Sequence, residues 1–171
     1  MATDPQAVLI TGAFGVGKSS VVVEMADIVE RRGWRYAALD LDWLGWGWSE
    51  GEVEDSDDQL TFENLAIVVA NYRRRGNDRF LLAHAVRFPS QLEQLRAAIA
   101  MPLRVVRLTL PLEDIRRRAA PDPTMGRAGD LERTEAWLAA GEDPEIADLV
   151  VANDRPIQVV ANEILDWLAW D

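Results

Sequence analysis

Ala7-Val-Leu-Ile-Thr-Gly-Ala-Phe-Gly-Val-Gly-Lys-Ser-Ser20 is the stretch whose reading decides the fold. Its first five residues form a short, continuous apolar run closed by glycine, which suits a strand buried on both faces. Gly12, Gly17, Lys18 and Ser19 then meet the spacing Gly-x-x-x-x-Gly-Lys-Ser, with Gly15 as an extra glycine inside the loop. Val22, Met25, Ala26 and Val29 follow at helical spacing, and Gly33 marks a stop. Strand, glycine loop and helix in that order form the context in which this spacing holds phosphates. Glycines let backbone N–H groups wrap an anion, and the helix start adds its positive end. The lysine reaches the outer phosphates, and the serine hydroxyl can ligate magnesium. The expected ligands are therefore ATP, or a closely related nucleotide, and Mg2+. Gly12, Ala13, Phe14, Gly15, Val16, Gly17, Lys18, Ser19 and Ser20 form the cradle.

Outward from the loop, apolar runs alternate with helical periods. Arg35 to Leu41 reads as a second strand ending in Asp40-Leu-Asp42, followed by a loop rich in Trp, Gly and acids up to Asp58. The helical period returns at Leu65, Val68, Val69 and Tyr72. A third strand covers Arg79 to Val86, and Ser90 with Glu93 suggests a capping box before Leu92, Leu95 and Ile99. Leu103 to Leu110 and Asp148 to Ala152 read as the fourth and fifth strands. Between them lie an arginine-rich helix near Leu112 to Ala119, a Pro/Gly-bearing loop through Gly129 and a helix to about Ala140. The last helix carries Ile157, Val160, Ala161, Ile164 and Leu168 on one face. Strands alternating with helices imply parallel pairing through right-handed crossovers, and hence a three-layer α/β domain. No repeat or low-complexity linker interrupts it, so residues 1–171 are expected to form a single domain.

Composition narrows the partners. At 171 residues, one core suffices to bury ~70% of the surface an unfolded chain exposes. The net charge of -11 disfavours DNA or RNA, whose phosphates such a surface repels. With no cysteine, disulfides and thiolate zinc sites are excluded. The first residues lack the charge and apolar pattern of a secretory leader, and no apolar run approaches membrane-spanning length. A cytoplasmic protein without membrane contact is expected.

Phosphoryl transfer also needs a carboxylate on the metal side and often a base for the acceptor hydroxyl. The third strand carries no acid, and the fourth ends at Thr109 and Leu110 without one. Asp40 and Asp42 remain, and a strand's period of two would direct both to one side of the sheet's carboxyl edge, where ligands of open α/β sheets bind. Asp40 is read as the metal-side carboxylate and Asp42 as the base, or the two exchanged.

The glycine loop, Asp-x-Asp after the second strand, an arginine-bearing segment and the late turn Asn153-Asp-Arg-Pro156 together resemble the small P-loop kinases over nearly the whole chain. That superfamily includes nucleoside monophosphate, shikimate, gluconate and adenylylsulfate kinases and chloramphenicol-phosphotransferase-like enzymes. The resemblance implies a five-stranded parallel sheet in order 2-3-1-4-5 and a small lid, over about 112–133. It also implies transfer of the ATP γ-phosphoryl group to a small-molecule acceptor. Ala83-His-Ala-Val86 stands where shikimate kinases carry glycines, and Leu41 separates aspartates that adenylylsulfate kinases separate by glycine. No single subfamily is matched.

In similar kinases an early lid arginine stacks on adenine and later ones touch phosphates. That makes Arg117, Arg118 and Arg127 candidates, with Arg118 and Arg127 assigned to the transferring phosphoryl group. Asn153 and Arg155 are candidate adenine contacts, though an ordinary turn explains them equally. Trp43, Trp46 and Trp48 border the expected acceptor pocket, either as substrate shelves or as loop anchors. The acidic run from Glu50 to Asp58 suits a cationic acceptor or plain solvation. His84, inside an apolar strand, reads as a hydrogen-bonded core residue. The missing third-strand acid leaves a second reading open, a nucleotide switch or accessory ATPase acting on a protein partner.

Overall fold

The computed structural model describes residues 4–47, 57–119, 129–141 and 146–170. Five strands are present: β1 (Gln6–Thr11), β2 (Tyr36–Asp40), β3 (Arg79–Ala83), β4 (Leu103–Thr109) and β5 (Leu149–Ala152). All pair in parallel, in the order β2-β3-β1-β4-β5. The helices are α1 (Lys18–Arg31), α2 (Asp57–Arg74), α3 (Pro89–Ile99), α4 (Leu112–Ala119), α5 (Asp130–Ala140) and α6 (Ile157–Leu168). Both the pairing and the order agree with the three-layer architecture expected from the sequence.

Alternation along each strand builds the layers. Val8, Ile10, Leu81, Val106 and Leu108 face one side, where they pack with Met25 and Val29 of α1 and with Ile164 and Leu168 of α6. Leu9, Phe80, Leu82 and Val105 face the other, against Leu65 and Val69 of α2 and Leu92 and Leu95 of α3. Because β1 and β3 are covered on both faces, they read as unbroken apolar runs rather than alternating ones. Every strand points its carboxyl end to the same edge, and Thr11, Asp40, Ala83 and Thr109 mark that edge. The loops that leave it carry the candidate site.

Several boundaries differ from the expected ones. Strand β2 stops at Asp40, because the Asp40 carboxylate accepts the Asp42 N–H at 3.2 Å and caps a 3-10 turn over Leu41–Trp43. The period of two therefore never reaches Asp42. Helix α2 begins at Asp57 rather than near Leu65, so the end of the acidic run is its first turn. At α3, Phe88 is the N-cap, Pro89 opens the helix, and Gln91 Oε1 accepts the N–H groups of Arg87 and Phe88, both at 2.9 Å. The cap is thus two residues earlier than Ser90 with Glu93 would place it, since proline's missing N–H fits it for the first helical position. Among the described residues no helix is long and apolar enough to cross a membrane.

Candidate functional site

The glycine loop passes from β1 to α1 and is held by contacts on three sides. At Gly12, with φ 129°, a Cβ would sit 2.5 Å from the Leu108 carbonyl oxygen, so β4 admits only glycine there. Gly17, with φ 98°, starts α1, and a Cβ on it would lie 2.6 Å from Asn153 Nδ2. That amide donates to the Val16 carbonyl at 2.7 Å from a buried position, while the Asn153 N–H donates to Thr109 at 2.9 Å. From α5, Thr134 Oγ1 donates to the Phe14 carbonyl at 2.8 Å. The loop's shape is thus set by β4, by the turn after β5 and by α5.

Lys18 is buried, and its Nζ donates to the Gly12 and Ala13 carbonyls at 3.1 Å each. Its ammonium also lies 5.2 Å from the centre of the Phe14 ring, which Arg133 covers at 5.0 Å and Trp137 meets edge-on. Burial pushes the Lys18 pKa below its usual 10.5, and the charges of Asp42, Asp40 and Asp130 oppose that fall. The three carboxylates oppose the effect of burial on this cation. Ser19 and Ser20, at the helix start, are exposed.

Ser19 Oγ donates to Asp40 Oδ2 at 2.5 Å, which joins the cradle to the end of β2. Asp42, in the 3-10 turn just past β2, makes a separate contact. His84 Nδ1 lies 3.1 Å from Asp42 Oδ1, and His84 Nε2 lies 3.2 Å from Asp58 Oδ1 in the first turn of α2. Gln91 Nε2 donates to Asp58 Oδ2 at 2.5 Å, and the Phe62 ring meets the imidazole edge-on at 5.9 Å. The hydrogen bond to His84 holds the Asp42 carboxyl below its usual 3.8, against the opposing effect of burial. Asp58 is lowered by the same partner, with Gln91 adding to it. Burial alone would lower His84, but its bonds to Asp42 and Asp58 prevail and raise it above 6.5.

The remaining candidates are scattered. Arg118 donates to the Asn153 carbonyl at 2.8 Å, and its guanidinium lies beside Gly17, at the outer end of the cradle. Arg117 pairs with Asp114 on its own helix, and Arg155 pairs with Glu163 of α6 at 2.7 Å. Neither pairing turns the arginine toward the loop. Arg127 lies outside the described residues, as do Trp48 and the acidic positions before Asp57. Trp43 and Trp46 stack on each other, with ring centres 5.1 Å apart, and are 70% and 65% exposed. They do not pin the loop onto the core. Arg87 packs its guanidinium between Phe88 and Trp137, at 5.3 and 5.9 Å.

The sequence alone does not point to Gln91, Arg133 or Thr134 as site residues, and Asp58 enters it only as the end of the acidic run. Asp58 lay hidden in an acidic run that reads as solvated. Gln91 at the third position of α3 is a recognisable capping residue, provided that the helix is started at Pro89. Thr134 carries no local signal, because its role depends on α5 lying against Phe14.

No family model and no curated protein sequence matches the chain. Solved structures do. The Mycobacterium tuberculosis APS kinase, determined with AMPPNP and APS, is 24% identical, with a TM-score of 0.68, 98% of this chain and 99% of that one being covered. A Deinococcus radiodurans tunicamycin resistance protein has a TM-score of 0.69 at 15% identity, covering 99% and 98%. A gluconokinase from Sinorhizobium meliloti has a TM-score of 0.66 at 22% identity, covering 96% and 92%. The fold is that of the small P-loop kinases. Within this fold, Lys18, Ser19, Asp40 and Asp42 all lie at the carboxyl edge of the sheet, the edge at which open α/β sheets generally receive ligands.

Proposed function

We propose that the protein is an ATP-dependent small-molecule kinase whose acceptor meets Asp42. The observation that carries this reading is the Ser19–Asp40 contact beside the Lys18-bearing loop, with Asp42 on the same edge held in a different contact. The two aspartates are therefore separated by role. Asp40 with Ser19 offers paired hard oxygens to Mg2+, while Asp42, whose side chain is 49% exposed, offers a carboxylate oxygen to solvent. Glycines at positions that exclude a Cβ, and a lysine that now satisfies itself on loop carbonyls, fit the outer phosphates of a nucleotide.

Bound ATP and Mg2+ supply the transferable phosphoryl group and part of its charge neutralisation. The chain's own residues do the rest. Lys18 exchanges the Gly12 and Ala13 carbonyls for phosphate oxygens. Asp42 orients the acceptor hydroxyl and takes its proton as the new O–P bond forms and the bond from γ-phosphorus to ADP breaks. A carboxylate kept this acidic orients more than it deprotonates, which suffices where the transition state is loose. Arg118 and Arg127 are assigned to phosphate charge, and Arg117, Asn153 and Arg155 to the base end of the nucleotide. Arg117 and Arg155 must leave Asp114 and Glu163 to take that part.

Mass spectrometry of a metabolite and antibiotic panel incubated with Mg·ATP tests the reaction, the expected result being a gain of one phosphate on one compound. ATP consumption that appears only when a protein partner is added would instead favour the switch or accessory ATPase reading. The cradle is tested separately. Lys18→Met is expected to weaken Mg·ATP binding by about thirtyfold, the loss of a charged contact of ~2 kcal/mol. Unchanged affinity in a calorimetric titration would overturn the nucleotide assignment.

A further inference from the structure

Resting on the reading of Asp42 as the carboxylate that meets the acceptor, we propose that His84 is the positioning residue of this site. Its imidazolium holds Asp42 through Nδ1–H and is itself held by Asp58 through Nε2–H. The two ring nitrogens lie 3.1 and 3.2 Å from carboxylate oxygens, within a ring that is nearly enclosed. An ionised carboxylate only accepts, and a neutral imidazole has a single N–H. A neutral ring would therefore aim a lone pair at one of the two oxygens, in a place where burial strengthens that repulsion. Two N–H donors satisfy both contacts at once.

The rest of the neighbourhood is arranged around this charge. Asp42 comes from the turn after β2 and Asp58 from α2, while α3 contributes the neutral Gln91, which donates to Asp58. Phe62 of α2 presents its ring to the imidazole edge-on. Lys18 and Arg133 are the cations that act on Asp42 from the far side. Gln91 in turn accepts the N–H groups of Arg87 and Phe88. An unbroken chain of contacts thus runs from the start of α3 through Asp58 and His84 to Asp42. Since Asp42 Oδ1 is taken by His84, Oδ2 is the oxygen left for the acceptor hydroxyl. His84 fixes which oxygen is presented and in what direction, and a misdirected carboxylate loses the near-attack geometry.

His84 is the single histidine of the chain, so a 15N-histidine label in the full-length, ligand-free protein reports on this ring alone. A long-range 1H–15N correlation spectrum at about pH 6.5, where an ordinary histidine is half neutral, is expected to show both ring nitrogens predominantly protonated. The spectrum of a neutral tautomer at that pH would overturn the proposal. Asp42→Asn and Asp58→Asn are each expected to lower the titration midpoint of His84, because each carboxylate raises it. A midpoint unchanged in Asp42→Asn would mean that no proton is shared with that carboxylate and would sink the assignment. If either variant fails to fold, the wild-type spectrum decides alone. In ATP turnover, with water or a panel compound as acceptor, Asp58→Asn is expected to lower kcat by roughly ten- to a hundredfold while leaving KM for ATP unchanged. Equal turnover would reduce His84 to a structural residue. The failure of Mg·ATP binding, by contrast, would remove the kinase reading and leave the imidazolium spectrum intact.

Discussion

Asn153 illustrates how one side chain ties distant parts of the site together. Its amide donates to Val16 inside the glycine loop, its carbonyl accepts from Arg118 of α4, and its N–H joins the end of β4. Asn153→Ala leaves a buried carbonyl at Val16 without its donor, which costs about 1–3 kcal/mol. Urea unfolding is expected to record that loss, and calorimetry to record weaker Mg·ATP binding, since the loop loses its brace. In sequence, Asn153 reads as an adenine contact or an ordinary turn residue. The brace to Val16 is not legible there, because Val16 lies at the other end of the chain and a turn residue that braces a loop looks the same in sequence as one that meets solvent.

At the scale of elements, α2 matters most for the chemistry. Leu65 and Val69 bury it against Leu9, Phe80 and Leu82, and that packing delivers Asp58 to His84. Leu65→Ala is expected to cost about 2–5 kcal/mol, read from urea unfolding. Because the packing that seats α2 also seats Asp58, the His84 titration midpoint is expected to fall in the same variant. Local periodicity finds α2 from Leu65 onward. Its first turn escapes, because Asp57 and Asp58 end an acidic run that belongs by composition to a loop. Similarly, Asp40-Leu-Asp42 reads as strand continuation, whereas the Asp40 carboxylate ends the strand by capping the next turn. Side-chain capping competes with strand pairing, and only the observed backbone shows which prevails.

For the molecule as a whole, the carboxylate–imidazole cluster links folding to pH. His84 is raised above 6.5 in the fold, so its contribution is complete below the unfolded value and is lost as pH rises through the folded one. Asp42 and Asp58 are held below 3.8, so theirs is complete above that value and is lost as pH falls through the lowered ones. The cluster therefore stabilises most at mildly acidic pH. The melting temperature is expected to fall as pH rises above about 6.5, and the His84→Gln profile to lack that part of the fall. A wild-type profile no steeper than that of the variant would contradict the coupling.

Sequence alone determined the alternation of strands and helices and the presence of a glycine loop with Gly-x-x-x-x-Gly-Lys-Ser spacing. Both are written in local patterns: buried parallel strands are continuous apolar runs, and a glycine loop works through its own backbone. Tertiary structure alone decided which carboxylates act together. Ser19 meets Asp40, His84 joins Asp42 to Asp58, and Thr134 and Asn153 brace the loop, across separations of 21 to 137 residues. Such contacts follow from which helices the sheet brings to one edge, and no periodicity in the chain encodes that.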